Sequence, residues 1–527
     1  MITFSKTQPL FKWIVESLLI TFILGFSALI VLQQANPMLS NLGRDAGAFA
    51  YIGNQIAHGQ IPYLDAWDSK PPGVFLVNAF GLSIIKGSRW GIWVVEYLFL
   101  GLSTLFNFLS LRKIFGLGSA LFASLVWHYG LYRTLIGGNF TEEFSLLFGF
   151  LSMLLFVKSL DMETTWWADL GIGICAGSGF LFRLNNIGPQ VTVILTISIL
   201  LLTRKKYLLL LKRLVTIAAA AFIPIGLLSL YLIPKNAFGA FWEASFLYNL
   251  AYSGNHFNPA SSLSSGLTHI GWPAGITLLG VIMTWLELGT NVIKKKEDVN
   301  PVILWISLSA IIEILLSGIS GRNYIHYFIN WMVLVSFASA FIISRSFSSF
   351  LEWINKNSST FLAVSAILFF LYFNKVPGIF YESVLPLLSH SEITETEDPI
   401  AYYLSMKTSS GQTVLVWGGQ AGVNFLAKRD SPTPYLFYPL YVESEITNRI
   451  SKDFYDKLIS NPPKYIVDGS AYDFNHTLIP LNLTNPQRWL KEYGVYNTPY
   501  LLETLGFIQE HYTLAQTIKN VDIYRLR

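Results

Sequence analysis

Long apolar runs alternate with short polar segments along the chain up to about residue 376. A helix that crosses a bilayer needs about 20 predominantly apolar residues, and flanking Trp, Tyr and Lys side chains can complete a shorter run at the interface. We therefore predict 11 membrane-spanning helices, at about Trp13 to Gln33, Gly91 to Leu111, Phe115 to Leu135, Phe144 to Val157, Ala168 to Leu181, Ile187 to Thr203, Leu214 to Ile233, Ile270 to Leu288, Val302 to Ile319, Phe328 to Ile343 and Phe361 to Phe373.

A further apolar stretch, Gly73 to Ile85, decides the direction of every later helix. It is too short to count as a span, and we place it along the outer interface. Short loops rich in Lys and Arg stay cytoplasmic, and this assignment puts all such loops on the side of the N-terminus, which is therefore predicted to be cytoplasmic. The basic residues concerned are Lys6, Arg112, Lys113, Lys158, Arg204 to Lys206, Lys212, Arg213, Lys294 to Lys296 and Arg345.

The tail, residues 377–527, has a different pattern, with polar residues, prolines and short alternating segments. Three segments are typical of strands: Thr413 to Trp417, Lys464 to Val467 and Val521 to Leu526. The predicted fold is therefore an all-α polytopic membrane domain, residues 1–376, followed by a small soluble α/β domain on the outer side. Gly418 and Gly419 follow a predicted strand, but two glycines alone do not indicate a nucleotide-binding loop.

The composition supports a membrane protein. Of 527 residues, 52% are hydrophobic and only 13% are charged, about half the charged fraction of a typical soluble domain. The net charge of +4 is small, and the basic residues lie in short runs between apolar stretches, which does not favour a nucleic-acid partner. Cys175 is the only cysteine, so a disulfide within the chain is excluded.

The first outer loop, Gln34 to Trp90, is rich in residues that can carry chemistry. Asp45 opens a segment with Phe49, Tyr51, Ile52 and Ile56 at roughly helical spacing, which predicts an interfacial helix with the carboxylate near its N-terminus. Such a carboxylate is a candidate general base for a sugar hydroxyl. The alternative is an ordinary solvated helix cap.

Lys70 precedes Pro71 and Pro72 in the same loop. The prolines restrict the backbone and would hold the ammonium group in a fixed direction at the head-group level. A lipid phosphate is the natural partner, and a generic contact with anionic lipid is the alternative.

The second outer loop contains Thr141, Glu142 and Glu143 just before an apolar run. Thr141 is a candidate cap for the following helix, and two acids in a first turn suit the helix dipole. Capping and catalysis are both compatible with this pattern.

Cations and aromatic residues also occur at the outer ends of later spans. Arg183 ends the fifth span, and Arg322, His326 and Tyr327 precede or open the tenth. Near the membrane surface such groups can stabilise charge on a leaving phosphate or simply anchor the helix at the interface.

Two acids, Glu96 and Glu313, lie within predicted spans. An ionised acid there costs about 2.5–3.5 kcal/mol on insertion scales, so each acid needs a partner or a proton. Arg183 and His128 are the candidate partners.

The combination of these residues resembles the membrane-embedded GT-C glycosyltransferases, in particular the branch with the aminoarabinose lipid A transferases and the protein O-mannosyltransferases. The resemblance rests on Arg44-Asp45, on Pro62-Tyr63 leading to Lys70-Pro71-Pro72, and on Thr141-Glu142. Weaker matches are Arg322 with His326-Tyr327, and Trp417-Gly418 in the tail.

The resemblance implies an inverting transfer of a hexose or pentose from a polyprenyl-phosphate donor to a lipid, protein or polysaccharide acceptor, at the outer face of a bacterial plasma membrane. The implied roles are a catalytic acid for Asp45, donor-phosphate binding for Lys70, Arg322, His326 and Tyr327, and cavity lining for Glu142, Glu143, Arg44 and Arg183. Ala46 stands where many relatives carry a second acid, so a divalent metal is disfavoured and no cofactor is predicted.

Two other functions compete with this interpretation. A multi-span transporter would place its binding groups near the midplane, commonly within duplicated halves, whereas here no duplication is apparent and polar residues gather at one face. The second competing function is a noncatalytic scaffold or sensor. Glu142 and Glu143 remain equivalent candidates at this point, and the central prediction is that Asp45 and Lys70 meet around one cavity.

Overall fold

The structure is a computed structural model that describes residues 9–160, 165–253, 257–294, 299–346, 380–389, 394–473 and 478–527. Ten of the 11 predicted spans coincide with helices. The remaining one, Phe361 to Phe373, lies outside the described residues. The chain forms two compact units: unit 1 consists of residues 1–36, 93–228 and 256–393, and unit 2 of residues 37–92, 229–255 and 394–527.

Unit 1 is a helical bundle. Its helices are α1 (Pro9–Gln34), α4 (Arg89–Phe115, whose first turn belongs to unit 2), α5 (Leu117–Thr134), α6 (Thr141–Ser159), α7 (Trp166–Phe182), α8 (Gly188–Thr203), α9 (Tyr207–Leu232), α12 (Pro259–Ile270), α13 (Trp272–Ile293), α14 (Pro301–Gly318) and α15 (Met332–Ser346), with a 3-10 turn at Ile325–Trp331, a π turn at Phe380–Val384 and a short helix at Leu385–Ser389. The short helix α12 was not anticipated from the sequence.

Six helical segments are long and apolar enough to cross a membrane, among the residues that the structure describes. They are Ser17–Gln34, Arg89–Phe115, Tyr207–Lys235, Trp272–Asn291, Pro301–Gly318 and Ile325–Arg345. Helices α7 and α8 have 17 and 16 residues, which gives a length of about 25 Å against a hydrocarbon core of about 30 Å. The six long apolar segments make the chain an integral membrane protein. Because α7 and α8 are shorter than the hydrocarbon core, the total of 11 spans stays a prediction.

Large aromatic side chains and close backbone contacts hold the bundle together. Trp127, Trp305 and Phe150 are fully buried in its core. Helices α7 and α9 approach so closely that a Cβ atom on Gly177 would lie 2.1 Å from the carbonyl oxygen of Ala221. Small residues permit this approach, which is typical of helices that pack inside a membrane.

Unit 2 joins the first loop to the tail. Its helices are α2 (Arg44–Ala57), α3 (Gly73–Ile84), α10 (Phe238–Trp242), α11 (Tyr248–Ser253), and in the tail Pro399–Lys407, Gly422–Ala427, Glu445–Ser460, Pro486–Glu492 and Leu501–His511; shorter turns lie at Ile233–Lys235, Glu243–Leu247 and Gly469–Tyr472. Helix α3 has 12 residues and is about 18 Å long. It is too short to cross a bilayer, as the sequence pattern indicated.

The tail contains a four-stranded sheet in the order β1 (Val414–Trp417), β2 (Tyr465–Asp468), β4 (Val521–Leu526) and β3 (Tyr512–Ile518). β1 and β2 are parallel, and the other pairs are antiparallel. All residues of β1 and β2 are buried, because separate apolar clusters cover the two faces of the sheet. β3 was missed in the sequence because most of its residues are exposed and lack an apolar alternation.

Contacts between the first loop and the tail run along α2 and the segment that follows it. A Cβ atom on Gly47 would lie 2.7 Å from the Cα atom of Gly422. The backbone amide of Ser431 donates to the hydroxyl of Tyr51 at 2.9 Å, and the amide of Trp67 donates to the carbonyl of Pro434 at 2.8 Å. The all-α membrane domain with a small α/β domain is confirmed, while the division at residue 376 stays a prediction.

Candidate functional site

The functional residues predicted from the sequence fall into two groups, one in each unit. The first-loop cluster, in unit 2, consists of Arg44, Asp45, Asp68, Lys70 and Phe437. The second-loop cluster, in unit 1, is built around Glu142, Arg183, His326 and Tyr327.

Asp45 lies in the first turn of α2. The eight residues from Ala46 to Gly53 are buried on all sides of the helix, whereas Asp45 itself is partly exposed. The N-cap is Gly43, which has no side chain to cap the helix, so the acid of the first turn provides the favourable interaction with the helix dipole. Asp45 is therefore held at the start of α2 and stays partly accessible.

The main chain of Lys70 is fixed from three sides. The hydroxyl of Tyr63 donates to its carbonyl oxygen at 2.9 Å, and the hydroxyl of Ser245 donates to the same oxygen at 3.3 Å. Its amide donates to Oδ1 of Asp68 at 3.0 Å. Because three polar groups hold the backbone of Lys70, the direction in which its side chain leaves the backbone is fixed.

The ammonium of Lys70 is surrounded by one acid and two rings. Its Nζ atom lies 3.5 Å from Oδ1 of Asp68, 5.1 Å from the ring centroid of Phe437 and 5.7 Å from that of Phe49. The side chain is 25% exposed. Both ring distances are in the range of cation–π attraction, and the remaining exposure leaves room for an anionic partner.

Asp68 is a member of this cluster that the sequence analysis missed. It is 1% exposed, and its Oδ2 atom has no hydrogen-bond partner among the described residues. Burial raises the pKa of its carboxyl group above the ordinary value; the ammonium of Lys70 opposes this shift, and the carboxylate of Asp45 adds to it. The charges of Asp45 and Lys70 thus both act on the buried carboxyl group of Asp68. The sequence did not indicate this residue, because the Trp-Asp-Ser-Lys segment does not reveal that the aspartate is buried.

Arg44 contacts the tail of the same unit. Its guanidinium carbon lies 5.3 Å from the ring centroid of Phe437. Gly419, with φ +89°, leaves space for both groups, since a Cβ atom there would lie 2.6 Å from Cδ1 of Phe437 and 2.9 Å from Nε of Arg44. Gly419 therefore allows the side chains of Phe437 and Arg44 to lie close to the backbone after β1.

In unit 1, helix α6 begins at Thr141, and its N-cap is Phe140. The amide of Phe140 donates to Oε2 of Glu143 at 3.3 Å, so Glu143 reaches back to satisfy the helix start. The hydroxyl of Thr141 donates to Oε2 of Glu142 at 2.8 Å. The prediction that Thr141 caps the helix is therefore wrong, because Thr141 is already the first helical residue.

Glu142 forms a buried ion pair with Arg183. The guanidinium carbon of Arg183 also lies 3.8 Å from the ring centroid of Tyr327. Glu142 is 1% exposed and Arg183 18%, and a pair at this depth keeps its charges only when it is well compensated. The two glutamates thus have different surroundings: Glu142 neutralises an arginine, and Glu143 stabilises a helix end.

His326 stacks on two rings. Its ring centroid lies 4.4 Å from that of Phe140 and 5.9 Å from that of Tyr324, and both pairs of rings are nearly parallel. Arg322 is exposed. The second-loop cluster thus presents a histidine that is held by rings.

The partners proposed for the two intramembrane acids were wrong. Arg183 pairs with Glu142, and the Nε2 atom of His128 lies 2.9 Å from the hydroxyl oxygen of Ser27. Glu96 instead accepts a hydrogen bond from the backbone amide at the start of the second loop, that of Asn139, and its carboxyl group also hydrogen-bonds with that of Glu143. Backbone donors at a helix start cannot be recognised from the positions of charged residues in the sequence.

Glu313 remains without a hydrogen-bond partner for its Oε1 atom among the described residues. It packs against the backbone of Gly188, where a Cβ atom would lie 2.1 Å from Oε1. No pattern in the sequence indicated this contact.

The described ranges contain no dedicated metal cage, because no three side chains of His, Cys, Asp or Glu gather closely enough there to hold an ion. Mg²⁺ is commonly bound by only one or two carboxylates together with waters and substrate phosphates. The expectation that a divalent metal is disfavoured therefore stays a prediction.

Comparison with known proteins identifies the type of fold. Residues 69–240 match the model of the dolichyl-phosphate-mannose-protein mannosyltransferase family. The chain also matches a crystal structure of the oligosaccharyltransferase of Archaeoglobus fulgidus tethered with an acceptor peptide that contains the NVT sequon; the TM-score is 0.51 at 12% identity, with 85% of this chain and 69% of that chain covered. This protein has the GT-C fold.

Two further structures of the archaeal oligosaccharyltransferase agree with this result. The complex with an inhibitory peptide and a dolichol-phosphate matches with a TM-score of 0.51, 12% identity and the same coverage. The apo form matches with a TM-score of 0.50 and 14% identity, over 86% of this chain and 70% of that chain. No curated protein sequence matches the chain. The fold that the resemblance to GT-C glycosyltransferases implied is thereby confirmed.

Proposed function

We propose that this GT-C protein transfers a sugar from a polyprenyl-phosphate donor to an acceptor hydroxyl or amide at the outer face of the membrane. The general class, a glycosyltransferase with a lipid-linked donor, agrees with the family match over residues 69–240 and with the fold. The observation that carries the assignment to specific residues is the first-loop cluster, where Asp45 and Lys70 both act on the buried Asp68.

In the proposed reaction Asp45 is the general base. It accepts the proton of the acceptor while the acceptor atom attacks the anomeric carbon, and the bond from that carbon to the phosphate oxygen breaks. The partial exposure of Asp45 at the start of α2 suits this role, because a base must reach its substrate directly or through one water. The configuration at the anomeric carbon is inverted.

Lys70 is proposed to bind the phosphate that leaves with the lipid. A phosphate dianion needs no proton to depart, but it does need positive charge that is already in place. The three hydrogen bonds that fix the main chain of Lys70 supply such preorganisation. Arg44 is proposed as a second cation of the same site.

Arg322, together with His326 and Tyr327 of the second-loop cluster, is proposed to bind anionic parts of the substrate. Of the two glutamates, we assign Glu142 to this cluster, because it holds Arg183 against Tyr327. Glu143 is assigned a structural role at the start of α6.

The proposed orientation places the N-terminus in the cytoplasm and unit 2 outside, in a bacterial plasma membrane. The dolichol-phosphate and peptide bound to the archaeal enzyme support a lipid-phosphate donor here and make a peptide one of the candidate acceptors, beside lipids and polysaccharides. Either a hexose or a pentose is compatible with the cluster.

The decisive experiment is turnover of a panel of polyprenyl-phosphate hexoses and pentoses by the purified full-length protein, with peptide, lipid and glycan acceptors. Asp45→Asn removes the base but keeps the shape of the side chain, so we expect kcat to fall by about 100-fold or more, in line with the contribution of a general base. Asp65→Asn is the matched control, since Asp65 is an exposed acid of the same loop.

Equal turnover in the wild type and Asp45→Asn would remove Asp45 from the role of base. A protein that turns over no donor, yet moves solutes into proteoliposomes that lack any carrier lipid, would instead be a transporter.

A further inference from the structure

Phe437, a residue of the tail, contacts both cations of the first-loop cluster. Its ring centroid lies 5.3 Å from the guanidinium carbon of Arg44 and 5.1 Å from Nζ of Lys70. Two positive charges near one ring repel each other. The negative face of an aromatic ring attracts each of them, which offsets part of the repulsion.

The position of Phe437 follows from the anchoring of its neighbour Tyr438. The carbonyl of Tyr438 accepts a hydrogen bond from the amide of Gly418 at 3.0 Å, and its ring stacks on Phe454 at 3.7 Å. Tyr438 is 2% exposed, whereas Phe437 is half-buried. The tail therefore fixes the chain next to Phe437, whose ring lies beside Arg44 and Lys70 of the first loop.

We propose that Phe437 is a positioning residue that holds Arg44 and Lys70 in place for the phosphate of the donor lipid. The proposal rests on the proposed function, because it takes the donor to be a polyprenyl phosphate. It gives the α/β tail a specific role in the site, since the first loop carries the cations and the tail supplies the ring that orders them.

The test compares Phe437→Leu, which keeps an apolar side chain but removes the ring, with Phe437→Tyr, which keeps the ring. Phe507→Leu is the matched control, since Phe507 is a half-buried ring of the same unit that stacks on His511 at 4.3 Å. Affinity for polyprenyl phosphate and for the uncharged polyprenol is measured on the full-length protein, together with KM and kcat for any donor that the wild type turns over.

We expect Phe437→Leu to weaken polyprenyl-phosphate binding and raise the donor KM by about 2- to 30-fold, the range that corresponds to cation–π energies. Its kcat and its affinity for polyprenol should stay close to wild type. Phe437→Tyr and Phe507→Leu should behave like wild type.

Three results would overturn the proposal: unchanged phosphate affinity in Phe437→Leu, an equal defect in Phe437→Tyr, or an equal defect in Phe507→Leu, which would indicate general damage to the tail. The binding measurement separates this proposal from the proposed function. A wild type that binds polyprenyl phosphate through Phe437 but transfers no sugar would contradict only the proposed function.

Discussion

At the scale of single residues, Asp68 shows how strongly a site depends on burial. Its carboxyl group accepts the amide of Lys70 and lies 3.5 Å from the ammonium of the same residue, yet burial still raises its pKa above the ordinary value. The desolvation of the carboxylate therefore outweighs the attraction of its nearest cation.

A raised pKa of Asp68 predicts a specific pH dependence of stability. The folded protein binds the proton more tightly than the unfolded chain does, so stability falls as the pH rises from the ordinary aspartate value, about 3.9, through the raised pKa. In Asp68→Asn this loss is absent. The thermal unfolding midpoint of the variant, measured relative to that of the wild type, should therefore increase as the pH rises through this window.

The measurement is thermal unfolding in detergent over a series of pH values. Asp65→Asn serves as the control, because Asp65 is an exposed acid of the same loop. Parallel pH profiles for the wild type and Asp68→Asn would show that Asp68 does not titrate as the structure implies.

At the scale of elements, the packing of α2 against the helix Gly422–Ala427 connects the first loop to the tail. The two helices meet at Gly47 and Gly422 without intervening side chains. Asp45 lies two positions before Gly47, so the direction of its carboxylate depends on this contact.

Gly47→Ala should separate these two helices. The added Cβ atom would lie 2.7 Å from the backbone of Gly422, and a backbone atom cannot turn aside as a flexible side chain can. We expect a loss of about 1–3 kcal/mol, the usual cost of overpacking, seen as a lower midpoint of thermal unfolding, together with reduced turnover.

Gly506→Ala is the control for this substitution, because Gly506 also lies inside a helix of unit 2, Leu501–His511, and a Cβ atom there meets nothing within 4 Å. Its midpoint should not fall below that of the wild type, and its turnover should be unchanged. If Gly47→Ala were as stable as Gly506→Ala, the close contact between the two helices would not exist in solution.

At the scale of the whole molecule, unit 2 requires that the first loop and the tail lie on the same side of the membrane. Labelling with a membrane-impermeant thiol reagent can test this directly, because Cys175 is the only cysteine and is buried. In a Cys175→Ser background, Lys86→Cys and Asn461→Cys should react from outside in intact cells. Lys206→Cys should react only after the membrane is opened, because its loop is predicted to be cytoplasmic.

Labelling of Lys86→Cys and Asn461→Cys from opposite sides would contradict the compact unit. Labelling of Lys206→Cys in intact cells would instead contradict the predicted orientation, and would leave the unit itself intact. All three substituted positions are exposed in the structure.

Local patterns in the sequence were sufficient to predict the membrane helices, the strands β1, β2 and β4, and the type of fold. An apolar run of sufficient length partitions into lipid whatever its neighbours are, and the Lys70-Pro71-Pro72 motif consists of adjacent residues. The same reasoning identified Gly73 to Ile85 as too short to span.

The partners of the candidate residues, by contrast, became known only from the folded chain. The burial of Asp68, the ring of Phe437 beside Arg44 and Lys70, and the carboxyl pair of Glu96 and Glu143 all join segments that are far apart in the chain or hidden from solvent. No local period encodes such contacts, because they arise when distant elements pack and exclude water together. The chemistry of each residue is thus set by the sequence, whereas its partners are set by the packing.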